Sequence, residues 1–102
     1  TMSVEKKFLK AKPVCKVKFT LSGDIYNTAS SVLLLGDFNH WQIGETPFKK
    51  AKNGAWSVSL DLETGREYQF RYLIDGDRWE NEPEADKFVS SGLGSENSVI
   101  SL

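Results

Sequence analysis

Apolar and polar residues alternate over positions 14–21, where Cys15, Val17, Phe19 and Leu21 fall on one side of an extended segment. Pro13 punctuates its start, and Ser22-Gly23-Asp24 follows as a turn. Residues 25–31 show no decisive period and read as ambiguous, a loop being one solution. The run Val32-Leu33-Leu34-Leu35 is apolar on both faces, as a central strand requires. A second alternation covers 55–62 and aligns Trp56, Val58, Leu60 and Leu62 after the turn pair Asn53-Gly54. Glu63-Thr64-Gly65 then turns the chain into 68–74, with Tyr68, Phe70, Tyr72 and Ile74 on one face and Gln69, Arg71 and Leu73 on the other. Asp75-Gly76 predicts a hairpin into Arg78-Trp79-Glu80, residues 82–86 an irregular, solvated acidic loop, and 97–102 a last strand after the flexible 90–95. Short strands, frequent turns and almost no helical period predict an all-β protein, a two-sheet antiparallel sandwich. Residues 1–12 are polar and lysine-rich, a tail or edge segment, and 13–102 form a single domain.

Whole-chain quantities narrow the classes. With 102 residues, 39% hydrophobic and 26% charged, the chain is an ordinary globular domain with one core. A net charge of −1 supplies no basic field for a phosphate backbone, so nucleic acid is excluded as a partner. Cys15 is the only cysteine, which rules out an internal disulfide, and its strand position marks it as a buried, inert thiol. The basic N-terminal stretch lacks a following apolar h-region, and no apolar run reaches membrane-spanning length. The resulting expectation is a soluble, cytoplasmic protein without a membrane partner.

The chemistry concentrates at strand ends. Gly36-Asp37-Phe38-Asn39-His40-Trp41 sets an indole just beyond a tight polar turn, and Trp79 follows another turn, Asp75-Gly76-Asp77. If the aromatic face of 68–74 fills the core, Arg71 stands on the solvent face between the two indoles. The late loop adds Leu93, Ser95 and Asn97, an apolar contact and two hydrogen-bonding side chains. Indole faces cover the C–H face of a pyranose while a planar guanidinium and amides catch its hydroxyls, so this set suits sugar rings. Trp56 instead belongs to the core, His40 to the turn rim, and Arg71 has the competing option of pairing with Asp61 or Glu80. Carboxylates are abundant, but a glycosidase needs two facing each other about 5–10 Å apart across a cleft. Asp37 and Asp75 are explained by their turns. With no phosphate loop, no nucleophile signature and a lone histidine, the expectation is no enzyme, no cofactor and no metal.

Taken in order, Gly36-Asp37-Phe38-Asn39-His40-Trp41, Tyr68-Gln69-Phe70-Arg71-Tyr72-Leu73-Ile74-Asp75-Gly76, Trp79 and Leu93-Gly94-Ser95-Glu96-Asn97 resemble the isoamylase N-terminal (early set) domain of carbohydrate-binding module family 48. The same order is similar to the glycogen-binding domain of the AMP-activated protein kinase β subunit. The resemblance runs from about Val14 to Leu102. It implies an immunoglobulin-like sandwich that binds α-1,4-glucans such as glycogen, starch or maltooligosaccharides without catalysis. Trp41 and Trp79 match the stacking tryptophans. Arg71 stands where the kinase domain has a lysine, and Leu93, Ser95 and Asn97 match the loop that closes on the glucan. His40 for asparagine, Ser95 for threonine and one extra residue before Trp79 are departures. The family also implies an alternative, a module that docks on a glucan-metabolising enzyme or kinase-like complex without binding sugar.

Overall fold

A computed structural model describes residues 4–102; residues 1–3 of the expected N-terminal segment lie outside it. The chain forms β1 (Val4–Phe8), β2 (Val14–Leu21), α1 (Asp24–Asn27), β3 (Val32–Gly36), a 3₁₀ turn (Asp37–Asn39), β4 (Lys49–Lys50), β5 (Trp56–Glu63), β6 (Glu67–Ile74), β7 (Arg78–Glu80), β8 (Lys87–Ser90) and β9 (Glu96–Ser101). One sheet has the order β1-β2-β5-β4, the other β3-β6-β9-β8, and every pairing is antiparallel. The expected antiparallel β-sandwich is therefore the observed fold.

The alternation read along β2 and β5 is what pairs them. Their register runs from Val14 opposite Glu63 to Leu21 opposite Trp56, so the apolar set of each strand shares one face. That face meets Tyr68, Phe70, Tyr72 and Ile74 of β6 in a single core. Phe19 and Phe70 pack edge to face with centroids 5.3 Å apart, and Phe48 meets Tyr72 in the same way at 5.7 Å. Trp56 is buried, and its indole N–H donates to the Tyr26 carbonyl at 2.8 Å.

Two segments differ from expectation. Asp24 of the expected turn and residues 25–27 of the ambiguous stretch close into the short helix α1. The acidic segment is also less solvated than its composition suggests, because Glu82 is wholly buried. Its carboxylate accepts the Tyr72 hydroxyl at 2.9 Å and the Glu84 N–H at 2.7 Å, while its own N–H donates to Ser98 Oγ at 2.9 Å. Donors on both carboxylate oxygens are what permit burial of such a group. Burial, reinforced by the adjacent Glu82, pushes the Tyr72 hydroxyl far above its ordinary pKa.

The second sheet is positioned for function by the way β6 changes neighbours. Along one edge its first half pairs with β9, from Glu67 opposite Ser101 to Phe70 opposite Ser98. Its second half pairs with β7, from Tyr72 opposite Glu80 to Ile74 opposite Arg78. Arg71 sits at the junction. Leu35, Leu73 and Val99 are buried although strand alternation turns them away from the central core, so the outer face of this sheet is apolar beneath its polar rim.

A polar clasp joins the sheets at the β1 edge. Lys6 Nζ donates to Asp86 Oδ2 at 2.7 Å and to the Ser101 carbonyl at 3.1 Å, and the Ser101 N–H donates to the same carboxylate oxygen at 2.7 Å. Partial burial pushes the Asp86 pKa up, but the Lys6 and Ser101 hydrogen bonds outweigh it and hold the group below its usual value. A carboxylate depressed in the folded state adds stability that is present above its unfolded pKa, about 3.9, and is lost as pH falls through the folded value. Wild-type stability is expected to decline on acidification below about pH 4, and Asp86→Asn to flatten part of that decline. The effect is small because the pair is solvent-screened. Parallel acid-unfolding curves for the two proteins would show that the clasp contributes nothing.

Candidate functional site

The site begins where β3 ends. Gly36 is the residue the fold requires there: a Cβ would lie 2.6 Å from the Gln69 carbonyl oxygen and 2.8 Å from Phe70 Cβ. Gly36→Ala is expected to destabilise the domain by about 1–3 kcal/mol through overpacking, read as a lower thermal midpoint. An unchanged midpoint would mean that β3 and β6 separate freely.

After Gly36 the chain makes one 3₁₀ turn, and His40 and Trp41 both take left-handed backbone at φ 57°. For a residue as bulky as tryptophan this conformation is costly and persists only where neighbours enforce it. Asn39 supplies the enforcement. Its buried amide oxygen accepts the N–H groups of Gly36 at 3.0 Å and Trp41 at 3.2 Å. Its amide nitrogen donates to the Leu34 carbonyl at 2.8 Å and to Thr46 Oγ1 at 3.0 Å. Asp37 then fixes the ring itself, because its Oδ1 accepts the Trp41 indole N–H at 3.0 Å while Oδ2 accepts the Gln69 main-chain N–H at 2.8 Å.

The opposite wall comes from the β6–β7 hairpin. Asp75, also left-handed, turns the chain, and its carboxylate accepts the N–H groups of Ser30 and Ser31 at 2.7 and 3.1 Å. β7 returns Trp79 opposite Leu73, with the residue 44% exposed. The Arg71 guanidinium carbon lies 5.9 Å from the Trp79 ring centroid. Arg71 Nε donates to Asn97 Oδ1 and Nη2 to Ser95 Oγ, both at 2.6 Å. Arg71 is thus held by amide and hydroxyl rather than by Asp61 or Glu80; Glu80 pairs with Arg78 at 3.6 Å. Asn97 is itself anchored, donating to Gln69 Oε1 at 3.0 Å.

The third wall is the β8–β9 loop. The Ser91 N–H donates to the Ser95 carbonyl at 2.9 Å, the two hydroxyls lie 3.0 Å apart, and Gly92 and Gly94 take positive φ. That tight loop carries Leu93 at its tip, 90% exposed. An apolar side chain so exposed is solvated at a cost unless something covers it.

Together these walls bound a groove of about 370 Å³ lined by Trp41, Arg71, Trp79, Ser91, Leu93, Ser95 and Asn97. The six residues singled out from the sequence all line it, so chain segments up to 56 positions apart (41 to 97) converge on one surface. Ser91 was missed, although its spacing of four from Ser95 across two glycines marks a closed loop. Asp37, Asn39 and Gln69, which hold the lining residues, were also missed. His40 is exposed on the turn.

Comparison with known proteins agrees with this fold. The profile of carbohydrate-binding module 48 (isoamylase N-terminal domain) matches residues 25–88. The chain is 40% identical over 74 residues to Protein PTST homolog 2, chloroplastic, of Arabidopsis thaliana, covering 72% of this chain and 13% of that protein. It is 33% identical over 76 residues to Protein FLOURY ENDOSPERM 6, chloroplastic, of Oryza sativa subsp. japonica, covering 74% of this chain and 13% of that protein. The chain therefore spans 13% of the length of each of these curated relatives. Both names correct the expected cytoplasmic location, since both relatives are chloroplastic, and they remove the support for glycogen as the polymer. The missing h-region argued only against a secretory leader; plastid transit segments are amphipathic and carry none, so that reasoning never separated cytosol from plastid. An antiparallel β-sandwich matched by this profile over 25–88 belongs to the carbohydrate-binding module 48 family, the isoamylase N-terminal domains.

Proposed function

We propose that this domain, residues 13–102, is a non-catalytic module that holds starch-type α-1,4-glucan inside a plastid. The observation that carries the reading is the convergence of two indoles, one arginine and an exposed leucine on a single groove. Trp41 and Trp79 would cover pyranose C–H faces, and Leu93 would close over the curved chain. Arg71 has five N–H donors, of which two are spent on Asn97 and Ser95, leaving three to meet sugar hydroxyls. Asn97 and Ser95 both hold the guanidinium and border the groove, so they set its orientation toward the ligand. The plastid assignment is taken from the names of both relatives.

The groove lies at the small end of the range for ligand sites, so it takes few sugar units. Affinity is then roughly micromolar to millimolar, because little area is buried and the oligosaccharide must be ordered. A glucan-metabolising enzyme as protein partner belongs to the same proposal, since a module anchored on the polymer delivers whatever is linked to it. Calorimetric titration with maltoheptaose, against a β-1,4-linked cello-oligosaccharide of similar length, tests the reading. Saturable heat with the α-linked sugar alone is the expected result. Equal binding of both, or of neither at several millimolar, would overturn it.

A further inference from the structure

Two side chains that do not line the groove connect its opposite walls. Gln69 is the hub: its main-chain N–H is held by the Asp37 carboxylate, whose other oxygen holds the Trp41 indole N–H. Its side-chain carbonyl is held by Asn97, which in turn orients Arg71. Arg71 then reaches Ser95 on one side and the Trp79 ring on the other. The chain of contacts runs without a gap from one indole to the other through residues 41, 37, 69, 97, 71 and 79. Turn chemistry alone does not explain Asp37, because both its oxygens face partners outside a simple turn contact, one an indole and one a strand 32 positions away.

We propose that Asp37 and Gln69 are positioning residues, which preset the distance and orientation of Trp41 and Arg71 before any sugar arrives. The inference rests on the glucan-binding reading of the groove. Its physical basis is preorganisation: a ring and a guanidinium already locked in the bound geometry lose less freedom on binding. Asp37 accepts two N–H donors at once, so asparagine, with one oxygen and one donor nitrogen, satisfies only one of them. Gln69 acts toward Asn97 as an acceptor. Glutamate therefore keeps its role and methionine, of similar length, removes it.

The test uses the whole chain in two arms. Without sugar, the nitrogen–proton spectrum of the tryptophan indoles is recorded for the wild type and Asp37→Asn, with assignment by single Trp→Phe variants. The Trp41 resonance is expected to shift and exchange faster with water, while those of Trp56 and Trp79 stay. An unmoved Trp41 resonance overturns the role of Asp37. In the second arm, maltoheptaose binding is expected to weaken roughly three- to tenfold in Asp37→Asn and in Gln69→Met, and to be restored in Gln69→Glu. The thermal midpoint of Gln69→Met is expected to stay near that of the wild type, which separates positioning from unfolding. Equal affinity in Gln69→Met and wild type overturns the role of Gln69, and failure of Gln69→Glu to recover binding does the same. A wild type that binds no maltoheptaose overturns the functional reading, and the positioning roles with it.

Discussion

Trp79→Ala is expected to weaken maltoheptaose binding by about 2 kcal/mol, roughly thirtyfold, and Trp41→Ala with Trp79→Ala to abolish measurable binding. A shallow groove has few ways to gain affinity. Arg71 and its neighbours exchange water hydrogen bonds for sugar hydrogen bonds, which nets little. Covering the C–H faces of the rings with indole removes apolar surface from water and supplies most of the affinity. Trp79 is exposed and sits on the short strand β7, so its removal leaves the core intact. The variant should therefore retain its thermal midpoint while losing ligand. A loss of less than about threefold would mean that Trp79 does not stack on the sugar.

Asn39→Ala is expected to cost about 2–3 kcal/mol of stability and to lower the thermal midpoint by about 10–20 °C. Its amide makes four hydrogen bonds in a buried position, to Gly36, Trp41, Leu34 and Thr46. Alanine leaves the Gly36 N–H, the Leu34 carbonyl and the Thr46 hydroxyl facing a cavity where the amide stood, which carries a desolvation penalty, while the Trp41 N–H keeps only the Gly36 carbonyl at 3.0 Å. Two consecutive left-handed residues also lose the group that holds them, so sugar affinity should fall with stability. Asn39→Asp keeps the two accepted bonds but buries a charge and sets an oxygen against the Leu34 carbonyl, so it should also be less stable than wild type. A midpoint for Asn39→Ala within a degree or two of wild type would show that the turn is held by other means.

The parts of this architecture that were legible in the sequence are those governed by periodicity. Cys15, Val17, Phe19 and Leu21, and again Tyr68, Phe70, Tyr72 and Ile74, repeat at the strand period and mark the core faces of β2 and β6. β4 has two residues and α1 four, too short for any period to register. β8 follows an acidic segment, and only its pairing with β9 makes Lys87-Phe88-Val89-Ser90 a strand. The burial of Glu82 was illegible for a related reason: besides the Glu84 N–H close by, it depends on Tyr72 and Ser98, ten and sixteen positions distant.

In the site, the indoles, Arg71 and the loop residues stood out because each is chemically conspicuous beside a turn. Their supports did not. Asp37 and Asn39 look like ordinary turn residues, and Gln69 like an ordinary solvent-facing strand position. Asn39 acts on partners two to seven positions away through an irregular turn, and Asp37 and Gln69 through hydrogen bonds spanning 32 and 28 positions, neither of which a strand period encodes. Cellular location was beyond reach for a different reason, since the residues that fold this domain are not the ones that direct transport.

Indole nitrogen–proton resonances followed during a maltoheptaose titration test the central claim most directly, because the chain has only Trp41, Trp56 and Trp79 to report. The signals of Trp41 and Trp79 should move together along one saturation curve while buried Trp56 holds still. If the sugar leaves Trp41 and Trp79 unmoved, or shifts Trp56 in their place, the groove is not where glucan binds.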